Sequence, residues 1–331
     1  MASTEAYTID ASTSDIPEIE SNAYSLEYRV ITTILFVCCM AFLIFANGLV
    51  ILSYALKKVP RTLSYYYLSM LAGVDMSIGF AMPFNIVSSA SVQLSSSTTY
   101  CLMETLFTMC AITGSSFTML SLTIDRYMAL SSPLLYVAEM TQRRYIERTL
   151  LVWFVPITVF FILPLCWHNE LDETPVKTCF TLYILKREYT AYITLPIAFC
   201  NVIGVAFTYI PIISIALRQS RSIHASQPER DSEQSRKMRS HVKMVKTTSM
   251  VLVPYYAAWI PWCIFASGVV YSQDSYANPG LFFTAAQYAT FGVLVNSGIN
   301  PFVFAARMPV YKAAFKSLLR CKTGIEPATC T

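Results

Sequence analysis

The run Val30–Leu56, VITTILFVCCMAFLIFANGLVILSYAL, contains no Asp, Glu, Lys or Arg. A helix of about 20 mostly apolar residues covers a hydrocarbon core of roughly 30 Å, so this run can cross a bilayer with room to tilt. Thr62–Met103 is broken only by Asp75 and holds one crossing plus an outer turn around Gln93–Thr99. Thr105–Ile124, Thr149–His168, Tyr189–Leu217, Thr247–Gln273 and Ser275–Ala306 bring the set to seven.

Composition agrees with that count. Only 13% of the 331 residues are charged and 55% are hydrophobic, against roughly 25% charged in a soluble domain. The mean hydropathy is +0.48. These figures exclude a disordered chain, a nucleic-acid-binding domain and most cytosolic enzymes, and no nucleophile–base or metal-ligand constellation of an enzyme is present. A net charge of +4 is too small to imply a polyanionic partner. Ten cysteines are too few for a disulfide scaffold in a chain this long. Pro83, Pro156, Pro164, Pro196, Pro211, Pro254, Pro261 and Pro301 all fall inside the apolar runs. Neighbouring helices and waters re-satisfy the freed carbonyls in a membrane bundle; in a soluble protein such a density would argue against helices.

Lys and Arg set the orientation, because cytoplasmic loops hold the excess. With the amino terminus outside, the outer segments carry only Arg29, Lys177, Lys186 and Arg187, and the remaining Lys and Arg lie inside. An odd number of crossings then puts the carboxyl end in the cytoplasm. Residues 1–28, rich in Ser, Thr and acids, read as a disordered extracellular tail. Residues 29–306 form the bundle. Residues 307–331 form an amphipathic helix and a short cytoplasmic tail. In Pro309–Arg320, Tyr311, Phe315, Leu318 and Leu319 fall on one side and Lys312, Lys316 and Arg320 on the other. This pattern suits the membrane interface. Cys321 just beyond it is a candidate for palmitoylation, with an unmodified thiol as the alternative.

An ionisable group inside a span is costly and marks function by default. Asp75 is the one in mid-span, with a structural hydrogen-bond hub as the plainer alternative. Ser115, Asn296, Ser297 and Asn300 add hydroxyl and amide oxygens at a matching depth. A carboxylate among such oxygens suits a small hard cation, and sodium is the abundant extracellular one. Asp125-Arg126-Tyr127 ends the third run at its inner face.

Asn47-Gly48-Leu49-Val50, Leu71-Ala72-Gly73-Val74-Asp75, Cys101 with Asp125-Arg126-Tyr127, Trp153, Tyr209, Trp259-Ile260-Pro261 and Asn300-Pro301-Phe302-Val303-Phe304 occur in this order on the seven runs. In that series the chain resembles the rhodopsin-like (class A) G-protein-coupled receptors over nearly its whole length. The resemblance implies an all-α seven-helix transmembrane bundle with an outer ligand pocket. It also implies a cell-surface receptor that couples to a heterotrimeric G protein. Cys101 and Cys179 match the family's disulfide over the pocket mouth. By the same resemblance, an extracellular agonist shifts an existing equilibrium about Trp259 and Pro261. The inner half of the sixth helix swings out, Arg126 leaves Asp125 and meets the G protein and Tyr209, and sodium at Asp75 opposes the change. Receptor kinases, arrestin and membrane lipid are the further partners implied.

Three positions depart from the family pattern. Phe304 stands where Tyr is usual, His241 where some members carry an acid, and Asn201 where the fifth helix usually has Pro. The first two leave Arg126 less constrained and predict basal signalling. The third leaves the pocket-facing register of the fifth helix open.

For the ligand, Thr108 occupies the place of the monoamine receptors' Asp. A cationic amine there would be desolvated without a counter-ion, with Glu104 one turn outward as its sole rescue. Leu294 replaces the opsins' Schiff-base Lys, which excludes covalent retinal. The pocket residues expected are Glu104, Thr108, Ala111, Ile112, Phe180, Ile193, Ile197, Trp259, Ala266, Gln287 and Thr290. This largely apolar set favours a small neutral, lipid-like or odorant-like molecule. A peptide engaging Glu170, Asp172, Glu173, Lys186 and Arg187 is the second ligand class. A membrane channel or transporter is the alternative function, supported only by the single mid-membrane carboxylate.

Overall fold

The structure, a computed structural model, describes residues 26–132, 135–136, 141–171, 179–225, 233–271 and 279–321. Seven helices are long and apolar enough to cross a membrane. They are α1 (Leu26–Ala55), α2 (Leu63–Ala90), α3 (Thr98–Ser131), α4 (Gln142–Ile157, whose crossing continues through the following turns to Leu165), α5 (Leu195–Ala225), α6 (Glu233–Tyr271) and α7 (Pro279–Arg307), and α8 (Pro309–Cys321) follows. Apart from one antiparallel bridge between His168 and Leu185, the described residues form no strand. The all-α seven-helix bundle expected from the sequence is therefore present. Helix α1 already starts at Leu26, inside the stretch expected to be a disordered tail.

The helices outrun their apolar cores at several ends. Helix α6 begins at Glu233, well before the uncharged run that starts at Thr247, because the backbone bonding of a helix does not have to stop where the bilayer does. At the other face, Arg29 of α1 donates to the carbonyls of Ser89 and Ala90. Those carbonyls end α2 without intrahelical partners, so a cation there is favourable.

Neighbours pack in a closed ring, α1 on α2 and α7, α6 on α5 and α7, and α3 against α2, α4 and α5. Within its most apolar stretch α3 is 61% buried, against 22% for α4 and its extension, so α3 is the axis of the bundle. The outward faces keep large apolar groups such as Leu150, Phe154, Phe207 and Val253 exposed. In water that would be a liability; against lipid it is the surface required.

Two π turns interrupt the helical ladder, at Thr158–Ile162 and Thr190–Thr194. Each is centred four residues before a proline, Pro164 and Pro196 respectively. A proline ring collides with the carbonyl four residues back, and a wider turn at that carbonyl removes the collision.

Helix α8 turns Tyr311, Ala314 and Phe315 into the bundle. Leu319, expected on the apolar side, is 44% exposed; the spacing Tyr311, Ala314, Phe315, Leu318 follows the i, i+3, i+4, i+7 stripe that 3.6 residues per turn imposes. The thiols of Cys39 and Cys263 are buried, whereas those of Cys38 and Cys200 are exposed on the outside of the bundle.

Candidate functional site

Helical periodicity brings four residues of α3 to one side, Met109, Ile112, Thr113 and Ser116, with Phe117 beside them. Across from them α5 and its π turn supply Thr194, Ile197, Ala198 and Asn201. Trp259 and Trp262 of α6, Phe160 of the π turn that follows α4, and Val293 of α7 close the cavity. The two indoles meet edge to face with ring centroids 5.6 Å apart. No lining side chain is ionisable.

Of the pocket residues expected from the sequence, Ile112, Ile197 and Trp259 line this cavity. Thr108, Ala111, Phe180 and Ala266 are buried elsewhere in the bundle. Glu104, Ile193 and Thr290 are half-buried outside the lining, and the Gln287 side chain is outside the described residues. Counting one α turn back from Ile197 gives Ile193, yet Thr194 takes the cavity-facing place, because the chain there passes through the π turn. The cavity is thus deeper than expected, and the sequence reading missed Ser116, Asn201 and Trp262. The available signal was the α3 stripe continued one turn inward from Ile112.

The outer end is tied down. Cys101 of α3 and Cys179 form a disulfide, as the resemblance implied. Arg187 donates to the Val270 carbonyl at 2.7 Å, linking the approach to α5 with α6. Asp172 and Glu173 are outside the described residues. Thr108 accepts from Asn85 Nδ2 at 3.0 Å. Glu104 lies beside Ser88 of α2, and its Oε2 is buried without a hydrogen-bond partner.

In the middle of the bundle Asp75 is fully buried. Its Oδ1 accepts from Ser115 at 2.5 Å and its Oδ2 from Asn300 Nδ2 at 2.8 Å. Asn47, on α1, donates to the carbonyls of Leu43 and Ser297. The side-chain oxygens of Asn47, Asn296 and Asn300 are buried and have no donor. One carboxylate with several uncommitted amide oxygens is a donor set that fits a small hard monovalent cation. Among the described residues there is no group of three His, Cys, Asp or Glu for a heavier metal.

At the inner end of α3, Arg126 is 4% exposed and pairs with Asp125 at 2.5 Å. Tyr136 donates to the other carboxylate oxygen at 2.9 Å. Tyr209 is buried on α5, and Tyr127 points outward, 37% exposed. Pro261 and Pro301 lie within α6 and α7. The side chains of His241 and Cys321 are outside the described residues.

Residues 46–304 match the family "7 transmembrane receptor (rhodopsin family)". The chain is 27% identical over 303 residues to trace amine-associated receptor 9 of Rattus norvegicus, covering 84% of each chain. It is 24% identical over 314 residues to the histamine H2 receptor of Rattus norvegicus, covering 92% of this chain and 82% of that one. With the 5-hydroxytryptamine receptor 4 of Homo sapiens the identity is 23% over 289 residues, covering 80% and 73%. The match spans the helices that carry the buried Asp75, the Asp125–Arg126 pair and the cavity: the chain belongs to the rhodopsin family of seven-transmembrane receptors and is a G-protein-coupled, multi-pass protein of the plasma membrane.

Proposed function

We propose that this receptor is activated by a small neutral, lipid-like or odorant-like molecule that reaches the cavity from the extracellular side. One observation carries the reading: the cavity has four aromatic rings, Phe117, Phe160, Trp259 and Trp262, and no ionisable lining group. A cation there would lose its hydration with nothing to replace it. A ligand pressing on Trp259 acts two residues from Pro261, whose ring removes a backbone bond from α6 and lets its inner half swing outward. The amino terminus is extracellular and the carboxyl terminus cytoplasmic. The Arg126–Asp125 pair opens in the active form, and Arg126 then contacts the G protein. Asp75, Ser115, Asn296, Ser297 and Asn300 hold sodium in the inactive form, where the ion supplies the positive charge that the buried carboxylate lacks. Receptor kinases and arrestin act on the cytoplasmic face, whose basic residues draw anionic lipid.

The test is a library screen read by G-protein dissociation, with Arg126→Ala alongside. Neutral agonists are expected to give a signal that Arg126→Ala abolishes. Hits confined to cations would reject the ligand class.

A second reading rests on Glu104, whose buried Oε2 has no partner, and on relatives named for amines. It places an ammonium group between α2 and α3, above the cavity. An amine panel on wild type and Glu104→Gln separates the two, since only amine agonism is lost in that variant.

A further inference from the structure

Asn201 stands where helix α5 has an uncommitted polar group next to an apolar cavity. It is 3% exposed. Its Oδ1 accepts two hydrogen bonds, from Ser116 Oγ of α3 at 2.8 Å and from Tyr255 Oη of α6 at 2.7 Å. The two hydroxyls are themselves 3.0 Å apart. Each hydroxyl has one proton and both protons go to the same oxygen, so the amide turns its nitrogen away from them. That nitrogen, with two N–H groups, is buried and has no acceptor, and Asn201 is part of the cavity wall. Nearby, the Thr113 hydroxyl donates to the carbonyls of Met109 and Cys110.

We infer that Asn201 is the polar anchor of the cavity and that its N–H groups select neutral ligands carrying a hydrogen-bond acceptor, such as a ketone, ester or ether oxygen. The inference rests on the cavity being the ligand site. A buried donor left unpaired is unfavourable, so the ligand gains by supplying the missing oxygen. A hydrocarbon of the same shape leaves the donor bare. An ammonium group meets further N–H dipoles of the wrong sign. The same amide also joins α3, α5 and α6 through the two hydroxyls, so the ligand oxygen sits one bond from the contact between the three helices.

Matched probes test this on the purified full-length receptor. Acetophenone and α-methylstyrene share a shape and differ by a carbonyl oxygen; cyclohexanone and methylenecyclohexane form a second pair; 1-phenylethylamine is the cationic probe. Affinity is measured by the concentration dependence of the unfolding midpoint. Wild type is expected to bind each ketone about tenfold more tightly than its alkene. Asn201→Asp keeps an oxygen for Ser116 and Tyr255 but removes the N–H groups, and the preference should vanish; Asn201→Leu should do the same. Ser116→Ala, which keeps the amide, should retain it. Equal binding of ketone and alkene by wild type overturns the anchor while leaving a neutral-ligand receptor standing. A ketone preference that survives in both Asn201 variants, or no binding of either ketone, overturns it as well. Tightest binding by 1-phenylethylamine overturns both the anchor and the neutral-ligand reading.

Discussion

Asn300 of α7 donates through Nδ2 to Oδ2 of Asp75 on α2 at 2.8 Å, across a sequence distance of 225 residues. Ser115 of α3 holds the other oxygen, so one carboxylate gathers three helices. Amide oxygens of Asn47, Asn296 and Asn300 remain without donors around it. A buried charge persists only if it is paired or coordinated, and the surrounding oxygens attract a cation better than another anion or a hydrocarbon.

Sodium should therefore stabilise the receptor through Asp75. If sodium is present at about ten times its Kd, mass action gives about 1.4 kcal/mol, a rise of a few degrees in the unfolding midpoint over choline chloride at equal ionic strength. Asp75→Asn, which has the same shape without the charge, should show no difference between the two salts. An equal sodium response in that variant would remove Asp75 from the site.

The Cys101–Cys179 disulfide closes a loop with a sequence separation of 78. Chain entropy alone makes such a link worth about 4–5 kcal/mol. Cys101→Ser is expected to lower the unfolding midpoint and the amount of receptor reaching the cell surface. Treating the wild type with a reductant should reproduce the loss, and treating Cys101→Ser should change nothing further.

The bundle and its buried acid were readable from the sequence for one physical reason: hydrocarbon tolerates neither unpaired backbone nor isolated charge. Seven apolar runs, and Asp75 with Ser115 and Asn300 at matching depth, stand out against that background. The depth of the cavity was not readable in the same way. Whether Ile193 or Thr194 faces inward depends on a π turn that answers the Pro196 ring. The Ser116–Asn201–Tyr255 contact depends on the relative rotation of three helices, which side-chain packing decides and no single helical stripe encodes. Asn201 was visible as a departure from the family pattern, but its partners lie 85 and 54 residues away.

Tyr136 should act as a brake. Its hydroxyl donates to Asp125 at 2.9 Å, on the carboxylate that also holds Arg126. Removing one such bond costs about 1 kcal/mol, enough to shift a two-state population roughly fivefold. Tyr136→Phe is expected to raise ligand-free G-protein activation over wild type, whose own output should exceed that of mock-transfected cells. Unchanged output in Tyr136→Phe would show that the bond does not distinguish the two forms.

Gly298 is required by its neighbour on α1. A Cβ at this position would overlap the ring of Phe42, and that ring cannot simply retreat, because it stacks on Phe302 with centroids 5.4 Å apart and planes 18° apart. Overpacking of this kind costs about 1–3 kcal/mol. Gly298→Ala should therefore lower the unfolding midpoint more than an alanine at Gly292, whose Cβ would meet nothing within 4 Å. Both glycines are on α7, so loss of glycine flexibility is common to the two and cancels. Phe42→Leu shortens the obstructing side chain, and in the double variant Gly298→Ala should cost less than it does alone. A double-mutant cycle on the purified receptor measures this coupling; additive costs would mean that the two helices separate instead of clashing, and that the fit of Phe42 against Gly298 does not hold α1 to α7.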